Sequence, residues 1–164
     1  MGNTETDNNH LNEQYITFTI GEEDYAISIV NVEEIVKVSN LIKVPKSQDY
    51  FVGLMDNRGN IVNMIDLSKK IMNKKTTESQ INRAIIVKIN GKSLGIVVDK
   101  VSHVVHFSPS QIDPPPPSVK GISSRYIIGV AKKDNRFVII MDIEKILSSE
   151  EFNDITNEYK PRGY

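Results

Sequence analysis

With 164 residues, 39% of them hydrophobic and 25% charged, the chain has the balance of a globular protein and the length of one ordinary domain or two small ones. A formal net charge of −1 provides no global field for polyanions or anionic membranes. The absence of cysteine removes disulfides, thiolate nucleophiles and zinc ribbons, and agrees with a reducing compartment.

The polar, acidic start from Met1 to Gln14 lacks apolar periodicity and differs from the basic-then-apolar pattern of a secretion signal. It is expected to be a flexible N-terminal segment. The body, 15–152, contains short runs rich in Ile, Val, Phe and Tyr that predict strands at Tyr15–Ile20, Tyr25–Ile29, Ile35–Val38 and Ile61–Ile65. Further strands are predicted at Ala84–Ile89, Leu94–Val98, Val101–Phe107, Tyr126–Val130 and Phe137–Met141. Turn chemistry separates them at Gly21 to Asp24, Asn90-Gly91 and Asp134-Asn135, Asn-Gly being the strongest hairpin signal. Helix is predicted only at Leu67–Met72 and Asp142–Phe152, each directly after a strand. The fold class is mainly β. Residues 153–164 have the composition of a flexible C-terminal tail, and Met1 to Gln14 and Pro161 to Tyr164 are expected to be dispensable for folding. No apolar run approaches the ~18 residues a membrane helix needs, so a cytoplasmic location is expected.

The body is internally duplicated. Tyr50-Phe51-Val52-Gly53 recurs as Tyr126-Ile127-Ile128-Gly129, and the segment from Ile65-Asp66-Leu67 recurs from Met141-Asp142-Ile143, both 76 positions on. Upstream, Val32-Glu33-Glu34-Ile35-Val36 matches Val101-Ser102-His103-Val104-Val105, and Gly21 matches Gly91, at offsets of 69 and 70. A loop at Ser108–Ser124, containing Asp113 followed by a run of four prolines, Pro114 to Pro117, absorbs the difference. A stiff surface connection explains those prolines as well as a ligand for a proline-binding domain does. Two repeats, roughly 15–72 and 84–148, are expected, with Gly53 equivalent to Gly129 and Asp66 to Asp142.

Catalytic chemistry is largely missing. His103 and His106 are three apart, so on a regular strand they face opposite sides and cannot share a metal. Gly91-Lys92-Ser93 ends like a phosphate-binding loop, but Ile86 stands where the first glycine belongs, which leaves a hairpin turn. Asp66 and Asp142 resemble an acid/base pair, yet they occupy equivalent places where a strand runs into a helix, and capping of orphan amides accounts for both. Lys69, Lys70, Lys74 and Lys75 could contact phosphates, which makes a small-barrel nucleic-acid binder the rival function; no aromatic stacking motif stands beside them, and a solvated face is favoured.

The signal that does stand out is Asp56-Asn57-Arg58-Gly59. It makes a turn between apolar strands, and Arg58 is the only fork-shaped donor for many residues around. Glu34, or its neighbour Glu33, in the apolar stretch Val32–Val38 is its natural carboxylate partner, and a bidentate Glu34–Arg58 pair that orders the turn is expected. An exposed turn arginine is the plainer alternative.

These motifs resemble the CheW family of chemotaxis coupling proteins over nearly the whole body. Phe18 through Tyr25 is similar to the family's opening hairpin and Val32-Glu33-Glu34-Ile35 to its next block. Gly53 through Arg58-Gly59 to Asp66-Leu67 is similar to its N-L-R-G segment with a trailing P-x-x-D-L, and Gly95 to Asp99 with Val101-Ser102 is the most specific stretch. Asp56-Asn57 replaces the usual Asn-Leu, Asn63 a proline and Lys100 a common glycine. The resemblance implies two intertwined five-stranded SH3-like barrels, no enzymatic activity and no cofactor. It implies a non-enzymatic adaptor that couples methyl-accepting chemoreceptors to the histidine kinase CheA, binding the kinase regulatory domain and the cytoplasmic receptor tip, and recruited to membrane-bound receptor arrays without inserting in the membrane. Val32, Glu34, Gly53 and Arg58 match the family's protein-binding positions.

Overall fold

The computed structural model describes residues 13–74, 76, 81–117 and 125–156. Along the chain run β1 (Gln14–Ile20), β2 (Glu23–Ser28), β3 (Val32–Lys37), β4 (Leu41–Ile42), β5 (Phe51–Asn57) and β6 (Asn60–Asp66), then helix α1 (Leu67–Met72). They are followed by β7 (Arg83–Ile89), β8 (Lys92–Val98), β9 (Lys100–His106), β10 (Ile127–Lys133), β11 (Arg136–Met141) and helix α2 (Ser149–Thr156). Three of the hairpin turns place both central residues at positive φ, Arg58-Gly59, Asn90-Gly91 and Asp134-Asn135. That backbone matches the twist of the flanking strands.

The strands form two sheets, ordered β10-β11-β2-β1-β9 and β3-β7-β8-β6-β5-β4. The duplication is therefore real but crossed. Hairpin β1–β2, from the first repeat, pairs with β9 and β11 of the second, and hairpin β7–β8, from the second, pairs with β3 and β6 of the first. Register confirms the equivalence: the parallel pair Ile65↔Ile96 in one sheet is Met141↔Ile27 in the other. The Asp66 amide donates to the Tyr50 carbonyl at 2.8 Å, as Asp142 does to Tyr126 at 2.7 Å. The expected five-stranded barrels are thus open sheets of five and six strands in hydrogen-bond order, each containing strands from both repeats.

Alternation along the strands divides the apolar residues among three cores. The largest lies between the sheets and takes Phe18, Ile20 and Ile27 from one and Ile65, Ile85, Leu94 and Ile96 from the other. Each sheet also wraps a small interior of its own, and the two correspond at several positions. Tyr15, Ala131, Val138 and Ile140 in one stand where Ala84, Met55, Val62 and Met64 stand in the other. Bulk has been traded: where one interior has Tyr and Ala, the other has Ala and Met. Gly95, equivalent to Ala26, faces Met64, whose sulfur would collide with an added Cβ. Close packing forces such compensations.

Several sequence expectations are corrected. The helix expected over Asp142–Phe152 is a 3₁₀ turn at Ile143–Lys145 followed by α2. Ser148 starts α2 by exchange: its hydroxyl accepts the Glu151 amide and Glu151 accepts the Ser148 amide, both at 3.1 Å. Helix α2 continues through Thr156, and Ile155 is fully buried in the central core, so the C-terminal tail does not begin at 153. Lys70 donates to Glu151 at 2.8 Å and its ammonium stands 4.7 Å from the Tyr50 ring centre, while the Tyr50 hydroxyl donates to the same carboxylate. Burial alone would raise the Glu151 carboxyl, but the bonds from Lys70, Tyr50 and the Ser148 amide outweigh it and hold it down at about 2. At the other end of α2, Lys46 donates to the carbonyls of Asp154 and Ile155, both at 3.4 Å, where a cation complements the helix dipole. The N-terminal boundary moves too: Gln14 lies in β1, and the Glu13 carbonyl accepts the Phe107 amide at 2.9 Å. The remaining expected tails, 1–12 and 157–164, and 118–124 of the proline-containing loop lie outside the described residues.

Candidate functional site

Strand β3 alternates half-buried and exposed positions, with Val32, Glu34 and Val36 on the inward phase. Val32 packs against the central core and Val36 against the interior of the six-stranded sheet. Glu34 sits between them, a carboxylate on a largely apolar face that needs donors. They come from the turn joining β5 and β6. Arg58 Nη2 donates to Glu34 Oε1 at 3.0 Å and Asn57 Nδ2 to Glu34 Oε2 at 3.2 Å. The expected pair exists, but it is not the bidentate fork: Asn57 holds the second oxygen. The Gly59 amide donates to Asp56 Oδ1 at 2.8 Å and fixes the turn internally.

The position of these contacts matters more than their strength. In hydrogen-bond order β7, β8 and β6 lie between β3 and β5. A side-chain contact from Glu34 to Asn57 therefore requires the sheet to curl until its first strand meets the distant turn. The Glu34–Asn57–Arg58 set is a latch across a seam that backbone bonds do not close. In the other sheet His103, Lys133 and Asp134 occupy the equivalent places, and no ion pair joins them among the described residues. The scaffold is duplicated; the latch is not. Arg58 is 80% exposed and Glu34 29%, so the guanidinium is tethered at one nitrogen and presents its remaining donors to solvent.

Gly53 behaves differently from the other expected site residues. It is buried, with φ at 149°, and an added Cβ would lie 2.6 Å from the Ile42 carbonyl oxygen. At Gly129 the Asp113 carbonyl occupies the same place. Because both sheets use a glycine there, its role is to admit a neighbouring strand at close approach. The structure thus brings Glu34 and Arg58 together, keeps Val32 on the same strand, and sets Gly53 beneath β4. Asn57 was missed by sequence reasoning; its one signal was a position inside a turn already singled out.

The other candidates resolve into structural roles. Asp66 is buried, accepts the Ser68 amide at 3.1 Å and the Thr76 amide and hydroxyl at 2.7 and 2.9 Å. Asp142 accepts the Glu144 amide at 3.1 Å in the equivalent place, so both are caps and stand on different sheets. Within the basic cluster, Lys70 is engaged by Glu151, and Lys69 by Asn73 at 2.8 Å with Asp49 3.6 Å away, which weakens the case for a phosphate face. Lys75 lies outside the described residues. His106 meets Glu13 at 2.7 Å. Among the described residues no helix is long and apolar enough to cross a membrane.

Comparison with known proteins agrees with the duplicated fold and the motif order. Residues 14–151 match the CheW-like domain family. The chain is 32% identical to the chemotaxis protein CheW of Treponema pallidum over 148 residues, covering 88% of this chain and 87% of that protein. It is also 32% identical to the chemotaxis protein CheW of Klebsiella aerogenes over 150 residues, covering 92% and 90%. The crystal structure of the scaffolding protein TtCheW from Thermoanaerobacter tengcongensis superposes with a TM-score of 0.73 at 34% identity, covering 82% of this chain and 91% of that one. With a family match across almost all of both sheets and the same fold in a structure at this identity, the chain belongs to the CheW family of chemotaxis scaffolding proteins.

Proposed function

We propose that the chain is a non-catalytic coupling module that holds a CheA-type histidine kinase, through its regulatory domain, and the cytoplasmic tip of methyl-accepting chemoreceptors in fixed mutual geometry. It works in the cytoplasm and is recruited to receptor arrays by these contacts. The observation that carries this reading is the unduplicated latch. A scaffold duplicated in strand pairing and caps differs at this seam, where a solvent-facing arginine is tethered to Glu34, two residues along β3 from Val32. An ordered arginine, with an apolar residue on the strand that holds it, has the character of an interface hot spot. Gly53 contributes by shaping β4 and β5 behind the turn.

The test is a double-mutant cycle on Glu34 and Arg58, read as affinity for purified kinase regulatory domain and receptor-tip fragment separately. Arg58→Ala is expected to weaken one partner by about 1 to 3 kcal/mol while costing the fold no more than ~1 kcal/mol, because a solvent-exposed ion pair contributes little to stability. Arg58→Lys should rescue only in part, because an ammonium gathers its donors on one nitrogen and cannot span Glu34 and a partner as the separate nitrogens of a guanidinium fork do. Additive effects of the two substitutions would show that the residues act independently.

A further inference from the structure

Beside the latch lies a concavity of about 920 Å³ at the mouth of the six-stranded sheet. Half-buried Val44 and Leu54 and exposed Ile61 contribute the accessible apolar lining, and Lys46, Lys88 and Lys92 contribute cations. Two glutamates also line it, and both have partners within the fold: Glu34 in the latch, and Glu33 through the Ser93 hydroxyl at 2.7 Å. Lys46 is directed at the carbonyls ending α2. Lys88 and Lys92 are exposed, flank the Asn90-Gly91 turn and carry no ion pair among the described residues. Arg58 compensates one of the two glutamates, so the cationic side of this surface is left in excess.

We infer that this concavity receives an acidic, amphipathic segment of a protein partner, with carboxylates meeting Lys88 and Lys92 and apolar side chains resting on Val44, Leu54 and Ile61. The inference rests on the coupling function proposed above and specifies the chemistry of the segment that docks next to Arg58. Charge complementarity selects that occupant: a basic segment would meet uncompensated lysines, and a purely apolar one would leave them desolvated. Rim charges of this kind act mainly through the rate of association and lose their effect with salt.

The experiment measures association kinetics of the full chain with the kinase regulatory domain and with the receptor-tip fragment, each at about 50 mM and about 500 mM salt. Lys88→Glu combined with Lys92→Glu is expected to weaken one of the two partners about tenfold at low salt, chiefly in the association rate, and about twofold or less at high salt. Lys88→Gln with Lys92→Gln should fall between parent and reversal, and serves in its place if the reversal alters the thermal melt. Unchanged affinity for both partners in these variants overturns the inference, and if Arg58→Ala still weakens binding, the coupling function stands without it. A parent chain that binds neither partner removes both. Salt-sensitive binding of a generic RNA, lost on the same lysine substitutions, would identify a polyanion surface and likewise overturn the acidic protein segment.

Discussion

Replacing Ile155 by Ala tests whether α2 belongs to the fold or merely follows it. Ile155 has no exposed surface and lies in the core between the sheets with Phe152, Leu147 and Ile146. Truncating a buried isoleucine to alanine costs about 2 to 5 kcal/mol, from lost transfer energy plus the cavity left behind. The position is near the end of a helix that can shift to fill part of that cavity, which places the expected loss near ~3 kcal/mol. For a chain of this size each kcal/mol lowers the melting temperature by about 2 to 4 °C, so a fall of roughly 6 to 12 °C is expected by circular dichroism or calorimetry. Asn153→Ala, on the exposed face of α2, is the control and should stay within ~0.5 kcal/mol of the parent. A melting temperature for Ile155→Ala within about 1 °C of the parent would refute the packing of α2 and restore the tail that composition suggested.

Two further outcomes follow from contacts already described. The Glu151 carboxyl is held at about 2 in the fold against an ordinary 4.5, so its ionised form is favoured by folding; its contribution is complete above pH ~4.5 and disappears as pH falls toward ~2. The shift alone sets a ceiling of ~3 kcal/mol, and solvent access to the carboxylate reduces this to about 1 kcal/mol. Glu151→Gln should therefore melt below the parent at pH 7, and the gap should narrow by pH 3; a gap constant across that range would exclude the ionic clamp. Gly53→Ala and Gly129→Ala should each destabilise by about 1 to 3 kcal/mol, since a Cβ meets a backbone carbonyl in both places. If Gly53→Ala instead weakened partner binding with an unchanged melt, the glycine would be a contact and not a packing position.

Most of the architecture was legible because strand-forming residues and turn residues alternate cleanly, as at Ala84–Ile89, Asn90-Gly91 and Leu94–Val98. Strands β4 and β5 were not. β4 has two residues, too few for a period, and β5 carries Gly53 in its middle, which reads as a break although it marks a close approach. The intertwining of the two halves was implied by the family resemblance alone, because a repeat offset records which segments are alike and not which segments pair. The end of α2 was hidden for a related reason: Ile155 is one apolar residue among polar ones, and one buried residue has no periodicity. At the site, Glu34 and Arg58 were legible as opposite charges flanking apolar strands. Asn57 was not, since a neutral amide has no distinguishing partner until the curl of the sheet brings it to Glu34.

The crossing of the hairpins also bears on the birth of the protein on the ribosome. β1 and β2 are made first, yet β2 must lie parallel to β11, about 110 residues later in the chain. At ~5 to 20 residues per second, that hairpin waits roughly 5 to 20 s for its neighbour. Throughout that interval an isolated two-stranded ribbon with Phe18, Ile20 and Ile27 on one face is at best marginally stable in water. All six strands of the six-stranded sheet have been made once β8 has emerged, while its sister must await β11. Nascent chains therefore carry an unfinished edge from the emergence of β2 until β11 is made, and an unpaired edge of this kind is open to pairing with other chains.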